Sequence, residues 1–355
     1  MAEYDLQELA SNIKRWGQAL GFSKVGIASP DVSQAAPKFA QWLKKAHHGQ
    51  MHYMARHAHL RINPETLLPN TQSIISVCLP YMPQTIDCKQ MLTNKNMAYI
   101  SRYALGRDYH QVVRKRLQRL ADKISTSLKK HTADFLWAYR VFSDSAPVLE
   151  VEFARKSGIA WQGKNTLAVT RKGSFYFLGE IYTTLNLPED NPMPAHCGSC
   201  EACLKVCPTS AIIAPYVIDA NRCISYLTIE LPGSIPELLR PLIGNRIYGC
   251  DDCQLYCPWN RFAEPGVIDF GVRHTFDATP LGDLFRWSKD EFANRLSGSP
   301  IRRIGHERWL RNIAVALGNT ADPFYQPLLQ TQLAHPSPLV REHVLWALKH
   351  IEQGR

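Results

Sequence analysis

Apolar residues recur at spacings of three and four near the start of the chain, through Leu6, Leu9, Ile13, Trp16 and Leu20, and predict an amphipathic helix over residues 5 to 20. Gly21 is placed to cap its end. A short strand is predicted at Lys24 to Ala28. The nearly continuous apolar run Ser73 to Tyr81, ended by Pro83, reads as a buried strand. Val112, Val113, Leu117, Leu120, Ile124 and Leu128 mark a second helix, whose other face carries Arg114, Lys115, Arg116 and Arg119. Phe135 to Phe142 is rich in aromatics and predicts a strand. Asp144-Ser145-Ala146-Pro147 then opens a helix that runs through Leu149 and Phe153 to Gly158, with its proline at an early position. A loop follows, and then two strands, Thr166 to Thr170 and Ser174 to Tyr182, turn at Arg171-Lys172-Gly173. Helix predominates late in the chain, where the pattern Trp309 to Leu317 returns as Val340 to Leu348. There Ile313 matches Val344, and Ala316-Leu317 matches Ala347-Leu348.

Composition narrows the class. A chain of 355 residues with 45% hydrophobic content predicts two or three ordinary globular domains. Residues 1 to 21 are polar and carry no signal peptide, and no apolar run is long enough to span a bilayer, so a soluble cytoplasmic protein is expected. Lys and Arg number 41 against 31 Asp and Glu, and the net charge of +10 favours a polyanionic partner such as nucleic acid. The late helical pattern resembles a short HEAT-like repeat, with an unspecialised helical cap as the alternative. Arg302, Arg303, His306, Arg308 and Arg311 gather positive charge at its entrance. The stretches Met51 to Arg61 and Ser101 to His110, dense in Arg and His, read as the rim of an anionic ligand site or as solvated surface.

The cysteines carry the most specific signal. Eight of ten lie in one segment, beginning with Cys197-Gly-Ser-Cys200-Glu-Ala-Cys203-Leu-Lys-Val-Cys207-Pro208. This is the C-x2-C-x2-C-x3-C-P run that holds 4Fe–4S clusters in bacterial ferredoxins. Cys223, Cys250, Cys253 and Cys257-Pro258 complete a second group. Because the fourth cysteine of such a run crosses to the other cluster, Cys197, Cys200, Cys203 and Cys257 are assigned to one cluster. Cys207, Cys223, Cys250 and Cys253 take the other. Zinc would not need the crossed pattern, and disulfides would need an oxidising compartment. Cys78 reads as a core residue and Cys88 as a loop residue. Asp144 sits where a strand gives way to a helix, a position at which open α/β folds place chemistry and at which a carboxylate also caps helices.

Together the motifs Asp144-x-x-Pro147-Val-Leu-Glu150, Gly158-x-x-x-x-Gly163-Lys164-Asn165, Gly179-Glu180-Ile181, the ferredoxin run, Cys223-Ile-Ser-Tyr226-Leu-Thr-Ile-Glu230 and Gly249-Cys-Asp-Asp-Cys253-Gln-x-x-Cys257-Pro-Trp-Asn260 resemble the epoxyqueuosine reductase family over nearly the whole chain. The resemblance implies an α+β protein in three parts: a mixed α/β, nitroreductase-like cobalamin domain (1–190), a ferredoxin-like module with two 4Fe–4S clusters (191–265) and HEAT-like helices that bind tRNA (266–355). It implies a monomeric oxidoreductase that converts epoxyqueuosine to queuosine at the wobble position of tRNA, using cobalamin fed by the clusters from an external donor. Asp144 matches the family's proton donor, and burial against the corrin is expected to keep it protonated. Arg56, Arg107, Asp108, His110, Gly163 and Lys164 are candidates for the corrin's amide and phosphate edges, with Cys250 and Asp251 approaching from the cluster side. No Asp-x-His-x-x-Gly cobalt-ligand motif is present. Arg302, Arg303, Arg308 and Arg311 are candidates for the tRNA phosphates. The rival readings are a reductive dehalogenase, which should carry a twin-arginine export signal that Met1 to Gly21 lacks, and a ferredoxin-type carrier fused to an interaction module, which leaves residues 1 to 190 without a role.

Overall fold

The computed structural model describes residues 5–131 and 137–354. Helix α1 (Leu6–Ala19) begins at Asp5, whose carboxylate accepts from the backbone of Gln7 and Glu8, and Gly21 follows it in the left-handed region at φ 90°. The chain then builds β1 (Lys24–Ala28), β2 (Ser73–Pro80), α2 (Tyr109–His131), β3 (Tyr139–Phe142), α3 (Glu150–Lys156) and β4 (Tyr176–Thr183). These strands form one antiparallel sheet in the order β1-β2-β4-β3.

All eight residues of β2 are buried, as its continuous apolar run predicts for a central strand covered on both faces. Alternation sorts its side chains. Ile75, Val77 and Leu79 pack with Leu9 and Ile13 of α1 and with Leu117 and Leu120 of α2. On the other face, Ile74 packs with Phe142, Phe153 and Tyr182. Cys78 lies there against Ala154 and Ile159, a core residue as expected. Gly179 in β4 permits the close approach of α2, because a Cβ there would stand 2.8 Å from the side chains of Leu117 and Val113. Its neighbour Glu180 pairs with Ser76 on one side and Phe142 on the other, which puts a carboxyl in mid-sheet beside the end of β3.

In the C-terminal part α4 (Gly305–Asn319) packs against α5 (Pro338–Gln353), the two copies of the repeated pattern. Ile313, Ala314 and Leu317 share one core with Val340, Val344 and Ala347, and also with Ile100 and Ile247, so these helices are joined to the rest of the chain by an apolar interior.

Three expectations change. The strand predicted from Phe135 begins at Tyr139, with Phe135 and Leu136 outside the described residues. The helix expected at Asp144 begins only at Glu150, because Asp144 itself takes a left-handed backbone at φ 50° that a helix cannot include. Cys88 is not in a loop: it starts a short helix, Cys88–Thr93, and is buried with the Arg102 guanidinium 2.8 Å from its sulfur.

Candidate active site

The cysteine segment wraps two spaces. Cys197, Cys200, Cys203 and Cys257 line a pocket of about 720 Å³, rimmed by Lys164, Trp259 and Phe262. Cys207, Cys223, Cys250 and Cys253 line a second cavity, with about 1460 Å³ of empty space. All ten cysteines are free thiols, which leaves the disulfide alternative without support. Burial raises the Cys203 thiol above its ordinary value, and Cys197, Cys257 and Cys200 push it the same way. Burial likewise raises Cys253, followed by Cys223, Asp251, Cys207 and Cys203. Thiols that oppose one another's ionisation are suited to a cationic core, which stabilises them all as thiolates. Among the described residues no three His, Cys, Asp or Glu side chains converge on a point that could hold a single metal ion. Four thiols around a space fit a cubane better than a lone zinc.

The larger cavity also receives Asp144, Glu150, Tyr103 and Tyr109. Asp144 follows the end of β3, and 51% of its side chain is open because it faces this cavity. It caps no helix, since the position before α3 is Leu149, which offers no side-chain cap. Its Oδ2 instead accepts from the Tyr109 hydroxyl and lies 3.0 Å from His110 Nε2, while its backbone N–H donates to Glu150 Oε1 at 2.5 Å. Burial would raise Asp144, yet the hydrogen bonds from His110 and Tyr109 and the His110 charge hold it below the usual carboxylate range. The bonds from His110 and Tyr109 thus favour the Asp144 carboxylate, while the expectation of a protonated Asp144 concerns burial against a bound corrin. The protonated group is His110: burial disfavours its charge, but bonds to Asp108 and Asp144 lift it to about 9.

Behind Asp144 lie two further acids, the half-buried Glu150 and the fully buried Glu180. Burial, and then the charge of Asp144, raise Glu150 to about 8. Glu180 is fully buried with neither carboxyl oxygen in a geometrically sound hydrogen bond, and burial followed by Glu150 and Asp144 raises it well above its ordinary value. Both are neutral acids at neutral pH, so the unfolded chain releases these protons first and their ionisation opposes folding. Stability from this pair is complete below about 4.5 and is lost as pH rises through about 8. Glu180→Gln removes one titration and keeps the shape. Its denaturation midpoint should fall less between about pH 5 and pH 8 than the wild type's; an identical fall would assign the effect elsewhere.

The other candidates separate. Cys250 and Asp251 do line the Asp144 cavity. The Asp251 carboxylate is engaged by Tyr99 at 2.7 Å, Ser101 at 2.5 Å and the backbone of Arg102 at 2.8 Å, so it braces the cavity wall. Gly163 and Lys164 line the smaller cysteine pocket instead. Arg56 is exposed on the short helix His52–Arg56 and lines neither space. Arg107 and Asp108 line a third, basic groove of about 1670 Å³ with Lys115, Arg116, Arg119, Arg273 and Asp269. Asp269 pairs with Arg107 and Arg116, whereas among the described residues Lys115 and Arg119 are exposed and unpaired.

Of the four C-terminal arginines only Arg302 and Arg303 are exposed. Arg311 is completely buried, donating to the carbonyls of Leu231, Gly233 and Leu227, and Arg308 donates to Ile304, Ile229 and Arg303. Arg311 cannot reach a phosphate, which removes it from the tRNA-binding set. Tyr109 takes a role here that no local motif indicates, and Glu150 and Glu180 stand in the quoted motifs, which assign them no role. A glutamate in the otherwise apolar run Phe177 to Tyr182 was the available signal.

Comparison with known proteins agrees with this geometry. Residues 196–260 match the model of a 4Fe-4S double cluster binding domain, and residues 61–145 match Epoxyqueuosine reductase QueG, DUF1730. The chain is 50% identical over 351 residues to the epoxyqueuosine reductase of Pseudomonas aeruginosa, covering 97% of this chain and 95% of that one. It superposes on a crystal structure of epoxyqueuosine reductase with a tRNA-Tyr epoxyqueuosine-modified stem loop at TM-score 0.88 and 26% identity, covering 98% and 91% of the two chains. It superposes at TM-score 0.85 and 27% identity, covering 98% and 91%, on the Bacillus subtilis epoxyqueuosine reductase with its catalytic aspartate loop swung out of the active site. A double-cluster segment, an acid at a strand end in the same cavity, and this likeness along the whole chain have one reading: the chain belongs to the epoxyqueuosine reductase family.

Proposed function

We propose that this protein reduces epoxyqueuosine in tRNA to queuosine, with electrons entering through Cys197, Cys200, Cys203 and Cys257 and leaving through Cys207, Cys223, Cys250 and Cys253. The observation that carries the reading is one cavity shared by the second cysteine set and Asp144. Electrons and a proton route meet there. The reaction takes two electrons and two protons: both carbon–oxygen bonds of the epoxide break, a carbon–carbon double bond forms, and the oxygen leaves as water. Asp144 stands at the cavity wall to pass a proton to that oxygen as charge develops on it.

Cobalamin, which the family resemblance implies, agrees with the cavity. Its wall brings apolar side chains such as Leu167, Phe177 and Ile224 together with the second cysteine set, which suits a broad macrocycle that takes electrons from that set. When bound it would supply a low-potential metal able to take electrons singly and pass them to carbon. Tyr103, Thr166, Leu167, Tyr176 and Ser225 would border it. The division into residues 1–190, 191–265 and 266–355, the nitroreductase-like and HEAT-like descriptions, a monomeric state and a cytoplasmic site of action belong to this proposal. Among the described residues no helix is long and apolar enough to cross a membrane.

The deciding experiment supplies reconstituted protein, cobalamin and a low-potential reductant to tRNA bearing epoxyqueuosine. Nucleoside mass analysis should show one oxygen lost, and an unchanged nucleoside would reject the activity. The same preparation should hold roughly eight iron and eight sulfide per chain. Cys207→Ala should damage chiefly the cluster it shares with Cys223, Cys250 and Cys253. Iron near four in the intact protein would mean that one set serves another purpose.

For the RNA, the basic groove replaces the buried arginines as the phosphate track. Among the described residues Lys115 and Arg119 project from α2 without partners, and the groove reaches Asp108, beside the His110–Asp144 contact. Lys115→Ala with Arg119→Ala should weaken tRNA binding and flatten its salt dependence by about 0.7–0.9 for each phosphate that is no longer neutralised. An unchanged salt slope would place the RNA on another face.

A further inference from the structure

We infer that the proton delivered by Asp144 is stored on His110, and that Asp108 and Arg303 hold His110 in line for the transfer. The inference rests on the reading of Asp144 as the group that meets the substrate oxygen. Two protons are consumed in each turnover, and a single carboxyl carries one at a time. Asp144 holds none at rest. Its protons must come from behind it.

The groups behind it are aligned. His110 Nε2 is 3.0 Å from Asp144 Oδ2, and His110 Nδ1 is 2.7 Å from Asp108 Oδ1. The His110 backbone N–H donates to the same Asp108 oxygen at 3.1 Å, and the Asp108 backbone N–H is tied to the Gly298 carbonyl at 2.7 Å. The other Asp108 oxygen accepts from Arg303 Nη2 at 3.0 Å. The imidazole ring is fixed in plane by Tyr109, stacked on it at 4.1 Å, which in turn stacks on Phe177 at 4.2 Å. One ring nitrogen is thereby committed to Asp108 and the other to Asp144, which leaves a single outlet for the proton.

The charges favour storage at this place. Asp108 faces His110 from just before α2 and Tyr109 from its first position, Asp144 from the loop after β3 with Glu150 of α3 behind it, and Arg303 from the C-terminal side. Arg303 opposes the imidazolium, but Asp108 and Asp144 outweigh it. Burial would raise Asp108, while the bonds from His110 and Arg303 bring it down to about 2, so it does not take the proton back. Burial, followed by the Asp144 charge, keeps the Tyr109 phenol well above its ordinary value and protonated. In the transfer the Nε2–H bond breaks as an O–H bond forms at Asp144 Oδ2, and Asp144 then passes that proton to the substrate oxygen and returns to its carboxylate. Neutral His110 then reloads from solvent. His110 acts through Asp144 and is a positioning residue in that sense, as are Asp108 and Arg303.

Two measurements test this. Carbon-13 histidine resonances of the full chain, without added cofactor, should show His110 titrating near 9, moving towards the ordinary histidine value in Asp108→Asn and in Asp144→Asn. A His110 that titrates at the ordinary value in the wild type would overturn the proposal. In the reconstituted, pre-reduced enzyme, His110→Ala should slow single turnover about a hundredfold. Added imidazole should restore much of that rate and leave the wild type unaffected. His110→Gln keeps the packing and should be equally slow without being rescued. Wild-type speed in His110→Ala, or slowness that imidazole does not relieve while cluster absorbance and tRNA affinity are intact, would overturn the relay. Normal turnover in Asp144→Asn would instead sink the reading of Asp144 on which the relay depends.

Discussion

Asp144→Asn is expected to lower turnover by about 10²–10⁴-fold while iron content, cobalamin binding and tRNA affinity stay near those of the wild type. The substitution is chosen for the backbone as much as for the side chain. Asp144 sits at φ 50°, a region that asparagine tolerates better than most residues, so the loop between β3 and α3 can keep its path. The amide oxygen can still accept from Tyr109 or His110, and the backbone N–H to Glu150 is untouched. What disappears is the exchangeable proton. The alternative role of Asp144 as a helix cap predicts the reverse pattern, with stability reduced and turnover spared, but the cap position of α3 is Leu149, which makes no side-chain cap. Measuring the rate with pre-reduced enzyme at saturating RNA separates proton delivery from electron supply and from binding. A rate within a few-fold of the wild type would return the proton donation to another group in the cavity, with Glu150 the first to test.

The parts of this site that sequence made legible are those whose chemistry is local. The spacing of Cys197, Cys200, Cys203 and Cys207 is dictated by a cluster only a few bonds away, so the run announces itself. The strand β2 is equally plain, because a continuous apolar segment has no exposed face to hide. The acid–base group is different in kind. Tyr109 meets Asp144 across 35 positions and Arg303 meets Asp108 across 195, contacts that exist only once α2 and the C-terminal helices have packed on the sheet. Short-range pattern also misplaced the start of α3, because Pro147 suited an early helical position while Asp144 had to turn towards α2. The same distant contacts bear on the protonation of Asp144: burial raises a carboxyl, and two hydrogen-bonding partners brought from α2 lower it.

The arginines of α4 show the same limit from the opposite side, and they carry the largest stability effect expected here. Arg308, Arg311, Asn312, Val315 and Asn319 lie on one face of α4, and its two arginines were expected to meet the tRNA phosphates. In the fold that face is turned inward, against residues 227–247, where the chain winds irregularly after Cys223 and leaves its carbonyls without regular partners. Long donors supply them: Arg311 reaches Leu227, Leu231 and Gly233 at 2.8, 2.7 and 2.6 Å, Asn312 reaches Thr228 and Ile247 at 2.8 and 2.9 Å, and Asn319 reaches Arg240 and Gly244 at 2.9 and 3.0 Å. Arg311→Ala would orphan buried carbonyls at about 1–3 kcal/mol each. The sum is a large part of the roughly 5–15 kcal/mol that holds a domain together. The first consequence should appear near Cys223, since the loosened segment follows that ligand directly. Arg311→Ala should therefore be poorly soluble or bind less iron, and should melt well below the wild type. Arg302→Ala, a few residues away but exposed, should match the wild type in both respects. A folded, iron-replete Arg311→Ala protein whose one defect is weaker tRNA binding would show that this arginine reaches the RNA after all.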